Sequence, residues 1–364
     1  MRFNVYILLI ILLITMICCN NTSSRVCKNT IVFNRSDFME QINLLNPDTI
    51  ITEALNPLFY HIVRDSMILV SNKDDSQPFK CGLYSIEGDL KCELAPKGTG
   101  PYEFVSASIK VDSNNTDTFY IEDVVQNKLW IYDIDSLVSR GSSYRPSVMN
   151  IPRSVISYCL YTNNSIIGYH FWHCDNEKYN NGIPPLGIYR SDEVAEINSQ
   201  KRDYEYFVAN VTGALLFTDQ TKKDIWCANL YQDRIDIYND SLKIVKSLLG
   251  PDLYNIKYAE VDQGSNKGIY FDRNNKYEAY RSYVLTNKHI YLLYLAIHDV
   301  PYTSDNLPPV EVFKLNWTGE LLAVYKLDRY IYSISIDSNE KYLYGTSCRS
   351  YDDMSDLVKY ELKN

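Results

Sequence analysis

LWIY at residues 129–132 and IDIY at residues 235–238 are two copies of one pattern, alternating apolar positions closed by an aromatic side chain. Along a strand successive side chains point to opposite faces, so such a stretch buries one face and ends on a bulky ring. Four further copies follow the same rule: CGLY at 81–84, LGIY at 186–189, VEVF at 310–313 and LVKY at 357–360. The closing aromatics lie 47 to 57 residues apart, with one longer step of 75 between Tyr238 and Phe313. That period is too long for a hairpin repeat and fits about four strands with their turns.

The surroundings of each copy support this. Upstream lie second apolar strands at residues 67–71, 118–122, 166–171, 224–229, 289–296 and 341–347, and before most of them a third at 107–111, 155–161, 214–218, 282–286 and 332–336. Turn formers such as DSNN at 112–115, TNNS at 162–165 and DSNE at 337–340 join them. Downstream, EGD at 87–89 and WTGE at 317–320 lead towards a fourth strand, as at 243–249 and 321–325. Four antiparallel strands repeated six times predict an all-β, six-bladed β-propeller. Only four residues follow Tyr360, so the last blade lacks room for its outer strand, and TIITEA at 49–54 is expected to complete it and remove an open edge. The domain reading is therefore a signal segment at 1–19, a lead-in at 20–48 and the propeller at 49–364.

The first twenty residues, MRFNVYILLIILLITMICCN, place one arginine before an apolar run and end it on two cysteines. The run is shorter than the roughly 20 residues that span a bilayer and reads as a signal peptide. A cysteine at its end followed by NNTSS resembles the bacterial lipobox, which implies acylation (palmitate) of Cys19, with Cys18 in the small preceding position. Simple cleavage and a retained anchor helix are the other two readings. The expected address is the cell envelope, tethered to a membrane, with the outer membrane first.

With 36 Lys+Arg against 45 Asp+Glu, the net charge is −9 and no basic block occurs, which disfavours nucleic acid as a partner. The 32 tyrosines favour strands over helices. Seven cysteines remain after Cys18 and Cys19, with no C-x-x-C pair among them. Cys81 and Cys92 are the one local pair expected on neighbouring strands and the one candidate disulfide; the rest read as small buried hydrophobes.

LAPKGTGPYEFV at 94–105 joins the first expected blade to the second. Together with the lipobox and the repeat it resembles the TolB-like six-bladed propeller lipoproteins, whose first blades end in a K-G-x-G-P-x-E-F stretch; Lys97, Gly98, Gly100, Pro101, Glu103 and Phe104 match it. The resemblance implies fold and location rather than chemistry.

A propeller presents its blade-to-blade loops and its second-to-third-strand loops on one face. There the sequence places the PKGTGP loop and two long loops, CDNEKYNNGIPP at 174–185 and HDVPYTSDNLPP at 298–309. Long loops on a rigid scaffold concentrate binding residues, so Lys97, Tyr102, Glu103, His170, Trp172, His173, Asp175, His298 and Tyr302 are the candidate ligand contacts. His170, His173 and Asp175 could also form a metal or acid–base set, although side chains three apart on a strand point to opposite faces. Glu122 and Asp123 could hold a cation in the central channel. No G-x-S-x-G, P-loop, H-E-x-x-H or EF-hand pattern occurs. The leading expectation is a monomeric, non-catalytic module without a cofactor or metal, binding a protein, peptide or glycan. The alternative is a metal-dependent, lactonase-like hydrolase at the channel mouth.

Overall fold

The computed structural model describes residues 29–50, 57–72, 77–111, 117–152, 155–162, 165–170, 186–190, 213–218, 224–254, 259–262, 267–270, 277–298, 307–347 and 356–362. Its strands form a β-propeller. All six aromatic-ended repeats are found where they are expected, each in the third strand counted outward from the centre: Phe79–Ser85, Lys128–Asp133, Leu186–Arg190, Arg234–Tyr238, Glu311–Asn316 and Asp356–Glu361. The innermost strands of the same sheets are Pro57–Val63, Ser108–Val111, Val155–Thr162, Ala214–Thr218, Tyr277–Leu285 and Ile331–Ile336.

The expectation of six four-stranded blades is corrected. Five sheets carry the four or five strands of a complete blade, and the segment read as the third blade gives a three-stranded sheet among the described residues. That sheet packs Tyr158 and Ile166 against Tyr120, Leu129 and Met149 of the preceding blade. On its other side Ile167 and Leu186 meet Ala214, Leu216 and Cys227. The long step after Tyr238 contains a separate hairpin, Ala259–Asp262 with Lys267–Tyr270, rather than blade material.

The lead-in at 20–48 is only partly a lead-in. Its described part forms three strands on the outside of consecutive blades: β1 (Thr30–Val32), β2 (Glu40–Leu44) and β3 (Asp48–Ile50). β1 pairs parallel with Ile244–Leu249 and β2 parallel with Leu321–Leu327. β3 pairs antiparallel with Asp356–Glu361, through Ile50 opposite Leu357, and so gives the last blade an outer strand from the N-terminal side; it begins one residue before the expected 49–54, of which residues 51–54 lie outside the described residues. Between β1 and β2, Phe33 and Phe38 insert edge-on against each other and onto Phe313, in the apolar layer that joins two blades. Gly250 has φ +143, and a Cβ there would lie 2.0 Å from the Phe33 carbonyl oxygen, so this close approach of arm to blade requires glycine.

Ring closure needs the inner strands to satisfy the backbone groups that face the channel side of each blade. Hydroxyls from the neighbouring sheet do this. Ser157 Oγ donates to the Ala214 carbonyl at 2.6 Å and Tyr283 Oη to the Leu216 carbonyl at 3.2 Å. Ser282 Oγ accepts from Ile334 N, Ser335 Oγ from Ile62 N and Thr346 Oγ1 from Tyr60 N. The last blade is sealed to the first by Tyr60, Ile62, Tyr344 and Leu357.

One helix, α1 (Ile134–Arg140), is inserted before the outer strand of the second blade. Asp133 caps it by accepting from Ser136 N, and Gly141 ends it at φ +55. Ile134 and Leu137 anchor it on the apolar layer between the first two blades.

Candidate functional site

The PKGTGPYEF turn is built largely from its own atoms. Glu103 Oε2 accepts from Gly100 N at 2.8 Å, and Phe104 N donates to the Pro96 carbonyl. Gly98 has φ +152, and a Cβ there would collide with the Glu103 carboxylate. Phe104 is buried against Trp130, plugging the joint between two blades. Of the expected contacts, Glu103 is therefore spent on the turn, Lys97 forms a backbone bridge to Phe104, and Tyr102 remains exposed beside Trp130 and Arg145.

The carboxylate of Asp123 organises the same region. It is fully buried and accepts from Val105 N, Ser106 Oγ, Gln126 N and Gln126 Nε2. Gln126 Nε2 also donates to the Glu103 carbonyl. Two turns, 102–106 and 123–127, are thus stitched together, and they present Tyr102, Val105, Val124 and Val125 at 43, 39, 62 and 62% exposure. Single exposed hydrophobics are ordinary, whereas four on adjoining turns held by a buried carboxylate are an ordered patch. Lys128 and Arg145 flank it, each over an aromatic ring.

The cation site considered at Glu122 and Asp123 is not formed. Asp123 is used up as just described, and Glu122 pairs with Lys110 at 3.0 Å. Among the described residues no group of three or more His, Cys, Asp or Glu is placed to hold a metal ion. Cys81 and Cys92 are free thiols. Their strands do pair, but Cys81 stands opposite Leu94 and Cys92 opposite Leu83, a diagonal offset of about 7–8 Å that a disulfide cannot bridge. Burial pushes the Cys81 thiol up to about 12, which keeps it unreactive at neutral pH. His170 and His298 end strands Ser165–His170 and His289–His298. Trp172, His173, Asp175 and Tyr302 lie outside the described residues.

A second feature was not expected from sequence. The channel holds a cavity of about 510 Å³, lined by the innermost strands of six sheets. Its lining comes mainly from the C-terminal ends of these strands and the turns that follow, including Arg64, Asp65, Asn287, Asp337 and Ser338. The turn at 97–105 precedes such a strand, so the cavity opens on the face opposite the apolar patch. Its charged groups differ in how far they are committed. Arg64 is paired with Asp117 and Asp135, Asp65 accepts from Ser338 N, and Asp337 accepts from Tyr342 N. Lys110 sits 3.8 Å over the Tyr158 ring, and among the described residues Arg281 is paired with Glu278 at 3.8 Å. His61 lines the cavity from a deep position, and burial lowers its pKa to about 4, so the ring is neutral at physiological pH.

No protein-family profile matches the chain, so none supports the TolB-like resemblance, and no curated protein matches it either. Among solved structures, a protein of Bacteroides fragilis described as exported is similar at 13% identity, with a TM-score of 0.51 over 92% of this chain and 100% of that one. A member of the DUF4221 family from Bacteroides vulgatus is similar at 11% identity, with a TM-score of 0.50 over 88% of this chain and 95% of the other. At such identities the likeness is one of fold. This chain is a β-propeller of the same overall architecture.

Proposed function

We propose that the chain is an exported, lipid-anchored, monomeric scaffold that binds a protein partner through the face carrying Tyr102, Val105, Val124 and Val125. The observation that carries this reading is the stitching of two exposed apolar turns by the buried Asp123 carboxylate. Burying a polar anchor to hold apolar side chains in solvent costs stability, and a binding surface is the general reason to retain such an arrangement. The flanking Lys128 and Arg145 suit a partner segment that is apolar at its centre and acidic at its rim. The export half of the reading is supported by the signal-like first residues and by a fold shared with a protein described as exported. Cys19 is the residue proposed to carry the lipid.

Two measurements test this. Mass spectrometry of the mature N-terminus is expected to find a diacylglycerol-modified Cys19, and Cys19→Ala to move the protein into the soluble fraction; an unmodified terminus removes the anchor. In cells, a photo-crosslinker at Val124 is expected to trap a defined partner. Val125→Asp should abolish that product with the melting temperature unchanged. A crosslinking pattern identical in wild type and variant defeats the surface assignment.

A further inference from the structure

The cavity on the opposite face has a chemistry of its own. Around it stand side chains that offer hydrogen-bond donors without a matching acceptor among the described residues. Ser282 Oγ and Ser335 Oγ are each used as acceptors, by Ile334 N and Ile62 N, which leaves both hydroxyl hydrogens to be donated elsewhere. His61 has no hydrogen-bond partner among the described residues although it lines the cavity. A neutral imidazole offers one donor and one acceptor, the same pair that an alcohol group presents. Arg281 reaches the cavity with 45% of its side chain exposed, and its ion pair with Glu278 among the described residues is too long for a hydrogen bond. Lys110 adds a second cation, held in place by Glu122 and the Tyr158 ring.

The carboxylates of the lining are engaged by the protein's own donors. Asp65 and Asp337 are turned into the turns, where backbone N–H groups occupy them. An acidic protein thus contains a cavity whose least committed groups are the Ser282 and Ser335 hydroxyls, the His61 ring and the loosely paired Arg281, with the paired Lys110 beside them. The occupant such a lining fits is rich in acceptors, bears a negative charge planar enough for a guanidinium fork, and carries hydroxyls for the histidine. The volume lies within the range of about 300–1,000 Å³ usual for small-molecule sites, and strands rather than loops supply most of the lining.

We infer that the central cavity is a binding site for a small polyhydroxylated carboxylate of the sugar-acid class, its carboxylate on Arg281 and Lys110 and its hydroxyls on His61, Ser282 and Ser335. The site is independent of the partner surface, being on the other face and built from other residues. Either assignment can fail without the other.

Isothermal titration of the full mature chain with glucuronate, galacturonate and N-acetylneuraminate, against glucose and inorganic phosphate, tests it. At least one of the three acids is expected to bind at least tenfold more tightly than both glucose and phosphate. Arg281 is 45% exposed and its pair with Glu278 is long, so Arg281→Gln is expected to weaken that acid at least tenfold while leaving the melting temperature in place. Lys110→Met provides a second variant with the same expected direction. No binding by any of the three acids, equal binding of glucose or phosphate, or undiminished binding by Arg281→Gln would each overturn the inference.

Discussion

His61 shows how one side chain can report on the channel. Burial holds its folded pKa at about 4, below the ordinary 6.5 that an unfolded chain retains. Above pH 6.5 the ring is neutral in both states and contributes no pH dependence. As the pH falls from 6.5 towards 4, the unfolded chain takes up a proton that the folded one refuses, so stability declines across that window. A shift of this size corresponds to at most about 3 kcal/mol, and contact with the cavity reduces it to about 1–2 kcal/mol. Melting curves of wild type and His61→Gln at pH 7.5 and 4.5 are expected to show a smaller acid loss in the variant; parallel losses would mean that other groups control the acid limb. Asp123 is the complementary case at this scale. Its position at a strand end suggested a cation ligand, and nothing in the linear chain revealed that four donors from two turns would converge on it.

At the level of elements, the N-terminal arm adds to its strand pairing a polar clasp and two phenyl rings. Arg35 donates to Asp252 and Glu311, bridging the outer parts of two adjacent blades. Behind it the Tyr294 hydroxyl lies within hydrogen-bond distance of Asp233, Asp252 and the Tyr277 hydroxyl, its one hydrogen shared among them, while Asp233 accepts from Asp252 N and Tyr254 N. The two carboxylates are pulled apart. Arg35 holds Asp252 below the usual carboxylate range, and burial raises Asp233 above it. Replacing Arg35 by Gln keeps a donor but removes the charge. Because Arg35, Asp252 and Glu311 are partly solvated, the expected cost is about 1–2 kcal/mol rather than the larger loss of a buried pair. Urea denaturation would measure it, and a change within about 0.3 kcal/mol would show that the clasp adds nothing to the strand pairing and apolar packing of the arm.

For the whole molecule, the arm is the device that finishes the ring. β1, β2 and β3 cover the outer edges of three consecutive blades, and only β3 follows from counting strands. Removing residues 1–50 uncovers three edges at once and takes Phe33, Phe38 and Leu44 out of the apolar layers between blades. Uncovered edges template pairing with other chains. This truncation is expected to be insoluble, or to melt at least about 10 °C lower, whereas removal of residues 1–27 leaves the melting temperature unchanged. Sedimentation and calorimetry on the two truncations compare them directly, and equal stability would show that the arm is dispensable.

The six aromatic-ended strands, the antiparallel hairpins and the need for a closing strand were legible in the residues themselves, because alternation, turn chemistry and period are local properties of the chain. The face on which the PKGTGPYEF turn lies was legible for the same reason, once the strand order was known. Tertiary structure decided the rest. The parallel pairing of β1 and β2 leaves no local trace, since Thr30–Val32 and Glu40–Leu44 find partners more than 200 residues away. The offset of Cys81 from Cys92 depends on strand register. The cavity exists because strands from six sheets bring His61, Lys110, Arg281, Ser282 and Ser335 together around one space. In the chain these residues are separated by up to hundreds of positions, and only ring closure makes them neighbours.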